Sequence, residues 1–416
     1  MGAPLKRSGA QHRVQEHLAE LARLADTAGA RVVGEITQAL DRPNSATYVG
    51  KGKLEELRAL IAARDATVLI FDDELSPAQG KNLEEELGKR VIDRAELILD
   101  IFALRARSAE SRMQVELAQL EYSLPRLTRM WTHLEKFRGG IGVRGPGESQ
   151  LETDRRLVGH RIKVLKQRLA DVQRSRHVQR HSRRGAFLAS LVGYTNAGKS
   201  SLLRVLSGAQ DILVEDRLFA TLDPLTREVG LGDRQTVLLT DTVGFIRKLP
   251  HHLVASFRAT LEEVREADVL LHVIDASHPG WEDQRLVVDD VLVELDVRDV
   301  PVLHVFNKID RLEPAQLAAL RERMANLLPN SVFVEAMSTA GVSPLRDALR
   351  VAQRARRPVV EIRVPVGDGK LLAEIHRSAE VLSSRADEAR GEMVLTARVD
   401  AALRGRLEHV GALAES

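Results

Sequence analysis

The spacing of apolar positions changes twice along this chain, and each change marks a different kind of structure. Between residues 30 and 105 short apolar runs alternate with helical spacing. TVLIF (Thr67–Phe71) and RVID (Arg90–Asp93) are compact runs of buried-strand type, whereas GKLEELRALIAAR (Gly52–Arg64) and SPAQGKNLEEELG (Ser76–Gly88) repeat like helices. Ser76 reads as an N-cap, with Pro77 at the first helical position. A small α/β unit with a parallel sheet is expected over residues 1–107.

From Ser108 the period lengthens. Met113, Leu117, Leu120, Leu124, Leu127, Trp131 and Leu134 recur four and three apart, a heptad seam that makes Trp131 a packing residue. Pro125 falls inside it and is expected to kink or interrupt the helix. The glycine-rich stretch GGIGVRGPGE (Gly139–Glu148) then breaks the pattern, and a second seam follows at Leu151, Val158, Ile162, Leu165, Leu169 and Val172. Two seams about a short loop predict an antiparallel helical hairpin over 108–184, with loop 139–148 at its tip. Arms of about 30 residues reach roughly 45 Å.

Beyond Arg184 strands and helices alternate. AFLASLV, REVGL, TVLLT, VLLHVID, VLHVFN and VFVEA predict a doubly wound, mostly parallel sheet over 185–355. From Pro358 the order is strand, helix, strand, strand, helix, a further small α/β unit over 356–416.

Composition narrows the class. Hydrophobic residues make up 44% and charged residues 29%, ordinary for a globular chain, and a net charge of +2 names no partner. Aromatics at 3% leave little for stacking rows of bases, and the absence of cysteine excludes disulfides and thiolate metal sites. No apolar run approaches the ~18 residues of a membrane span. The start has neither a signal-peptide core nor a myristoylation signal, so a cytoplasmic location is expected. The distribution of charge says more. Residues 155–184 hold eleven Lys or Arg and one acid, Asp171. A merely solvated helix mixes signs, so this stretch is expected to face nucleic-acid phosphate.

The chemistry sits at strand ends. GYTNAGKSS (Gly193–Ser201) has four residues, Tyr194, Thr195, Asn196 and Ala197, between Gly193 and Gly198. That is the spacing of a P-loop, whose backbone N–H groups wrap phosphates while the next helix aims its N-terminus at them. Lys199 would reach the β- and γ-phosphates, and Ser200 would bind Mg²⁺. Asp241 closes TVLLTD, and Thr242, Val243 and Gly244 follow. There the carboxylate would serve the metal and the Gly244 N–H the γ-phosphate. Asn307, Lys308 and Asp310 (NKID) end another strand. An Asp there accepts from guanine N1–H and the 2-amino group, which adenine lacks, and this favours GTP over ATP. Between the loops, LFATLDPLTR supplies Phe219, Ala220, Thr221, Leu222 and Asp223 as a switch segment over the nucleotide. Such a loop needs a metal-binding Thr; Thr221 is preferred and Thr226 competes. Glu335 and Ala336 would meet the base. His272 and His304 fall inside strands and are expected to be neutral packing residues.

These motifs resemble those of the HflX family of ribosome-binding GTPases. GYTNAGKS, LFATLDP, DTVGF and NKID share the resemblance with YVGKGKLEEL, FDDELSPAQ, ILDIFALRA, QVELAQLEYSLPRLTRMW and GGIGVRGPGESQLETDRR, over roughly residues 30–355. The resemblance implies a Ras-like GTPase with Mg²⁺ and GTP or GDP at Ser200, Thr221 and Asp241, and with Lys199, Thr221 and Gly244 in catalysis. It implies binding to the large ribosomal subunit, with hairpin loop 139–148 near the peptidyl-transferase region, and splitting of stalled or stressed ribosomes; the basic helix 155–184 is consistent with an rRNA contact, and a monomer is expected. It also implies an apolar strand at the start, which MGAPLKRSGAQHRVQEHL does not offer, so an altered or incomplete N-terminus is expected. Glu335 departs from the family's Ser.

Phe245 stands where a self-sufficient Ras-like enzyme carries its water-orienting glutamine. Slow hydrolysis that a partner stimulates is therefore expected, with His251 and His252 weighed as replacements. The competing reading is an RNA- or ribosome-binding module in which nucleotide is mainly structural.

Overall fold

A computed structural model describes residues 1–4, 13–130, 146–180, 186–212, 214–232, 235–248, 263–297 and 299–413. Trp131, most of loop 139–148 and the His251–His252 pair lie outside these residues.

Near the start, helices α1 (Val14–Thr27), α2 (Lys51–Arg64) and α3 (Pro77–Leu87) accompany strands β1 (Val68–Phe71) and β2 (Arg90–Asp93), followed by α4 (Arg94–Arg105). The strands pair in parallel. Ser76 caps α3 as expected, in a full capping box with Gln79. Met1–Ala3 supplies backbone beside β1: Asp72 N donates to Met1 O (2.9 Å), and Gly2 N donates to Ile36 O (3.0 Å) on the other side.

The hairpin is α5 (Ala109–Met130) against α6 (Pro146–Arg180), with Leu117, Leu165 and Leu169 buried at the seam. Of the two expected outcomes at Pro125, an interruption does not occur: α5 continues through it. The residues on either side are anchored. Tyr122 donates to Asp93 Oδ1 (2.9 Å) and Arg126 donates to Leu75 O (2.9 Å). Together these ties offset a helix-interior proline, which costs about 3 kcal/mol. On α6, Arg161 pairs with Glu116 (2.6 Å) and Lys166 with Glu121 (2.8 Å), so part of the basic stretch serves the hairpin itself.

The larger sheet holds β3 (Phe187–Gly193), β4 (Leu225–Gly232), β5 (Gln235–Asp241), β6 (Val269–Asp275), β7 (Val302–Asn307) and β8 (Ser331–Phe333), in the order β4-β5-β3-β6-β7-β8. Only β4 is antiparallel to its neighbour. Helices α7 (Lys199–Ser207), α8 (Trp281–Glu294), α9 (Pro314–Leu327) and α10 (Ser343–Arg356) alternate with the strands. The tail keeps the order read from sequence: β9 (Val359–Pro365), α11 (Gly369–Ser378), β10 (Glu380–Asp387), β11 (Glu392–Arg398) and α12 (Ala401–His409). Its sheet runs β10-β11-β9 over a core of its own.

One core crosses these units. Leu18, Leu21 and Leu24 of α1, Ile98 and Phe102 of α4, and Val115 and Ala118 of α5 pack with Leu218, Phe219, Leu222, Val243, Phe245 and Ile246. Each fully buried side chain of this size contributes about 1.5–3 kcal/mol, so the first units are held onto the large sheet by apolar burial.

His272 and His304 face each other from β6 and β7, with ring centroids 5.7 Å apart. His272 Nδ1 lies 3.4 Å from Asp289 Oδ1. Burial lowers both pKa values, to about 4 for His304, whose neighbour His272 lowers it further. In each case the folded value lies below the unfolded one. Their contribution to stability is therefore whole above pH 6.5 and is lost as pH falls toward 4. A thermal melt followed from pH 7 to pH 5 should lose several degrees, and His304→Gln should flatten that loss.

Candidate functional site

The P-loop follows β3, and φ is +98° at Gly198, just before α7. A Cβ at Gly198 would overlap Asn307 Nδ2, so only glycine fits. Lys199 is buried, and its ammonium donates to Gly193 O (3.1 Å) and Tyr194 O (2.9 Å). Burial pulls its pKa down to about 8, against the pull of Asp241.

Three oxygens meet beside it. Ser200 Oγ donates to Asp241 Oδ2 (2.6 Å) and lies 2.8 Å from Thr221 Oγ1. Thr226 instead pairs with Thr240 (2.9 Å) on the β4–β5 ladder, so of the two threonines it is Thr221 that reaches this point. Burial raises the Asp241 carboxyl pKa, although Lys199 and Ser200 oppose that. Asp241 Oδ1, Thr195 Oγ1 and Asn307 Oδ1 are buried without a hydrogen-bond partner among the described residues. Two hydroxyls, a carboxylate and orphaned oxygens make a hard-oxygen set of the kind Mg²⁺ takes together with substrate phosphates.

The base side is tied to the phosphate side. Asn307 Nδ2 donates to Ala197 O (2.9 Å), and Lys308 Nζ to Asn196 O (2.8 Å) and Asp275 Oδ2 (2.7 Å). Asp310 follows on a 3₁₀ turn, Ile309–Arg311. Thr195, Asn196, Lys199–Ser201, Phe219–Thr221, Thr242, Gly244, Asn307, Lys308, Asp310 and Ala336 all line one cavity of about 240 Å³.

Three known families match successive parts of the chain. Residues 15–103 match the family described as GTP-binding GTPase N-terminal, 105–183 the GTP-binding GTPase middle region, and 189–308 the 50S ribosome-binding GTPase family. The GTPase HflX of Magnetococcus marinus is 47% identical over 397 residues, covering 95% of this chain and 90% of that protein. GTPase HflX of Caldanaerobacter subterraneus is 45% identical, covering 90% of this chain and 86% of that protein. GTPase HflX of Escherichia coli is 45% identical, covering 88% and 86%. The chain belongs to the HflX family of GTPases.

Binding and hydrolysis of GTP come with HflX-family membership, on a P-loop α/β domain flanked by smaller units. Other residues named from sequence lie elsewhere. The side chains of Leu222 and Val243 are buried in the shared core instead. Tyr194 is buried too, its hydroxyl donating to Glu20 of α1 and accepting from Arg247 N (3.0 Å). Asp223 turns to the root of the hairpin. The Glu335 carboxylate folds onto its own loop, where Ser338 Oγ donates to it (3.1 Å), so Ala336 is the residue of that pair at the cavity.

Sequence reasoning missed Glu215, Asp216, Arg217, Arg311 and Met337 on the cavity wall. They belong to loops with no periodic signal. Asp275 could have been found: it ends β6 opposite Asn307 in the parallel register, one residue from its ion partner Lys308.

Phe245 is 1% exposed and points into the core rather than the cavity. Its backbone closes the second phosphate-facing loop against the first: Phe245 N donates to Gly193 O (3.0 Å) and Thr195 N to Phe245 O (2.8 Å). Gly244 is packed beneath, where a Cβ would come within 2.7 Å of Thr195 Cα.

Proposed function

We propose that this chain is a Mg²⁺-dependent GTPase whose nucleotide state gates its binding to the large ribosomal subunit, and that in the cytoplasm it splits stalled or stressed ribosomes. The observation that carries this reading is the meeting of Ser200, Thr221 and Asp241. It makes the position of a switch loop depend on what occupies the phosphate site.

Phosphate oxygens arriving in the P-loop would take the Lys199 N–H groups now given to Gly193 and Tyr194 carbonyls. Ser200, Thr221 and Asp241 would hold Mg²⁺, which neutralises charge developing between the β- and γ-phosphates. The Gly244 N–H would report the γ-phosphate. Asp310, placed by the Lys308 anchor, would read guanine. Nothing among the described residues orients the attacking water, because Phe245 is turned into the core. That supports slow hydrolysis by the chain alone and a partner that completes the site.

Outside the seam, α6 presents exposed Arg155, Arg156, Lys163 and Arg168. These fit a phosphodiester backbone, and rRNA of the large subunit is the proposed partner for this face and for loop 139–148. The assignment of separate units at 1–107, 108–184, 185–355 and 356–416 belongs to the same reading.

Sedimentation of ribosomes with the chain plus GTP, GDP or a non-hydrolysable analogue tests it, with GTP turnover measured beside it. The chain should follow the large subunit with the GTP analogue and not with GDP, and subunits should raise turnover at least tenfold. Binding indifferent to nucleotide would sink the gating, and equal turnover with and without subunits would sink partner activation.

A further inference from the structure

We propose that Asp223 is the mechanical link between the nucleotide site and the helical hairpin, carrying the position of Thr221 to the first turn of α5. The inference rests on the GTPase reading above and assigns that site its output.

Asp223 lies two residues beyond Thr221, yet all its described hydrogen bonds go to the start of the hairpin. Arg107 N (3.1 Å) and Ser108 N (3.2 Å) donate to Oδ2, and Ser108 Oγ donates to Oδ1 (2.5 Å). Ser108 Oγ in turn accepts from Ser111 N (3.0 Å). The start of α5 therefore takes its anion from a loop more than a hundred residues away, where a carboxylate also suits the helix dipole. Burial raises the Asp223 carboxyl pKa, but the bonds from Ser108, Ser111 and Arg107 outweigh it and hold the group below the usual carboxylate range.

The loop has little slack between its two ends. Leu222 is buried between Thr221 and Asp223, and two residues of chain span at most ~7 Å. Two further ties hold the same loop to the same place. Phe219 packs edge-on against Phe102 with centroids 4.7 Å apart, and Glu215 pairs with Arg105 (2.8 Å) at the end of α4. Whatever moves Thr221 toward or away from Ser200 therefore pulls on residues 105–108. The hairpin amplifies the pull: a rotation of about 5° at the root displaces a point ~45 Å out by ~4 Å. Since the distal arm is the basic one, the displaced surface is the one proposed to meet rRNA.

The chain contains no cysteine, so two introduced thiols can be spin-labelled without background. Lys163→Cys on α6 and Glu322→Cys on α9 are both exposed and report hairpin against sheet. Pulsed electron-spin distance measurements on the labelled chain with GDP and with a non-hydrolysable GTP analogue should give two distinct distributions. Asp223→Asn places an amide among three donors and should cut the shift at least twofold. Ser108→Ala removes one of the three bonds from outside the cavity. It should cut the shift in the same direction while binding of a fluorescent GTP analogue stays within twofold of the parent. A full shift in Ser108→Ala and Asp223→Asn overturns the link. So does a single distribution in a parent chain that binds both nucleotides and hydrolyses GTP. If Asp223→Asn does not fold, Ser108→Ala decides alone. A parent that binds neither nucleotide sinks the GTPase reading, and the link with it.

Discussion

Asp310→Asn should cost the chain roughly 100- to 1,000-fold in GTP affinity and transfer that affinity to xanthosine triphosphate. The wild-type carboxylate is an acceptor only, matched to two donors on guanine. Asparagine keeps one acceptor and sets an amide N–H₂ against the 2-amino group, leaving two donors facing each other. Xanthine replaces that amino group with a carbonyl and restores the match. The effect should be large because the residue cannot drift. Lys308 is held by Asp275 and Asn196, and Asn307 by Ala197, so the turn that carries Asp310 is fixed to the P-loop. Competition of labelled nucleotide by GTP, XTP and ATP reads the change. A variant that still prefers GTP to XTP would remove Asp310 from the base.

Phe245→Gln should leave unassisted hydrolysis slow and lower the melting temperature. Restoring a glutamine in sequence does not place an amide at the water, because the side chain is buried in the core cluster that also holds Leu218, Ile246, the α1 leucines and Phe102 of α4. An amide buried there without partners costs about 1–3 kcal/mol, added to the lost apolar burial. Phe245→Ala should cost about 3–5 kcal/mol through the cavity it leaves. In both variants subunit-stimulated turnover should fall with the loosening of the second phosphate loop. Thermal melts beside GTP turnover without ribosomes give the answer. A tenfold rise in unassisted turnover at unchanged melting temperature would mean that position 245 faces the nucleotide.

Those two residues also show where sequence is informative. That NKID and the P-loop sit at strand ends around one cavity was legible because such turns are set locally, by a strand end, a spacing and a residue type. The seams of α5 and α6 and the element order of the tail were legible through periodicity. The direction of Phe245 was not, because its surroundings come from α1, α4 and α5, more than a hundred residues earlier, and no period relates them. The direction of Asp223 was hidden for a related reason: a short acid on a loop can face either side, and two of its three donors are backbone groups that leave no trace in composition. Pro125 does not interrupt the helix, because the helix rule is local whereas the anchors at Tyr122 and Arg126 are tertiary.

The core that joins α1, α4 and α5 to the two loops after β3 and β5 has a thermodynamic reach. Leu18 and Phe245 belong to one buried cluster, so fraying of the first helix and opening of the Gly244–Phe245 loop should be coupled. A ligand that binds only the closed loop then raises the free energy of that opening by mass action. Amide protons in α1, which touches no phosphate, would exchange more slowly whenever the nucleotide is bound.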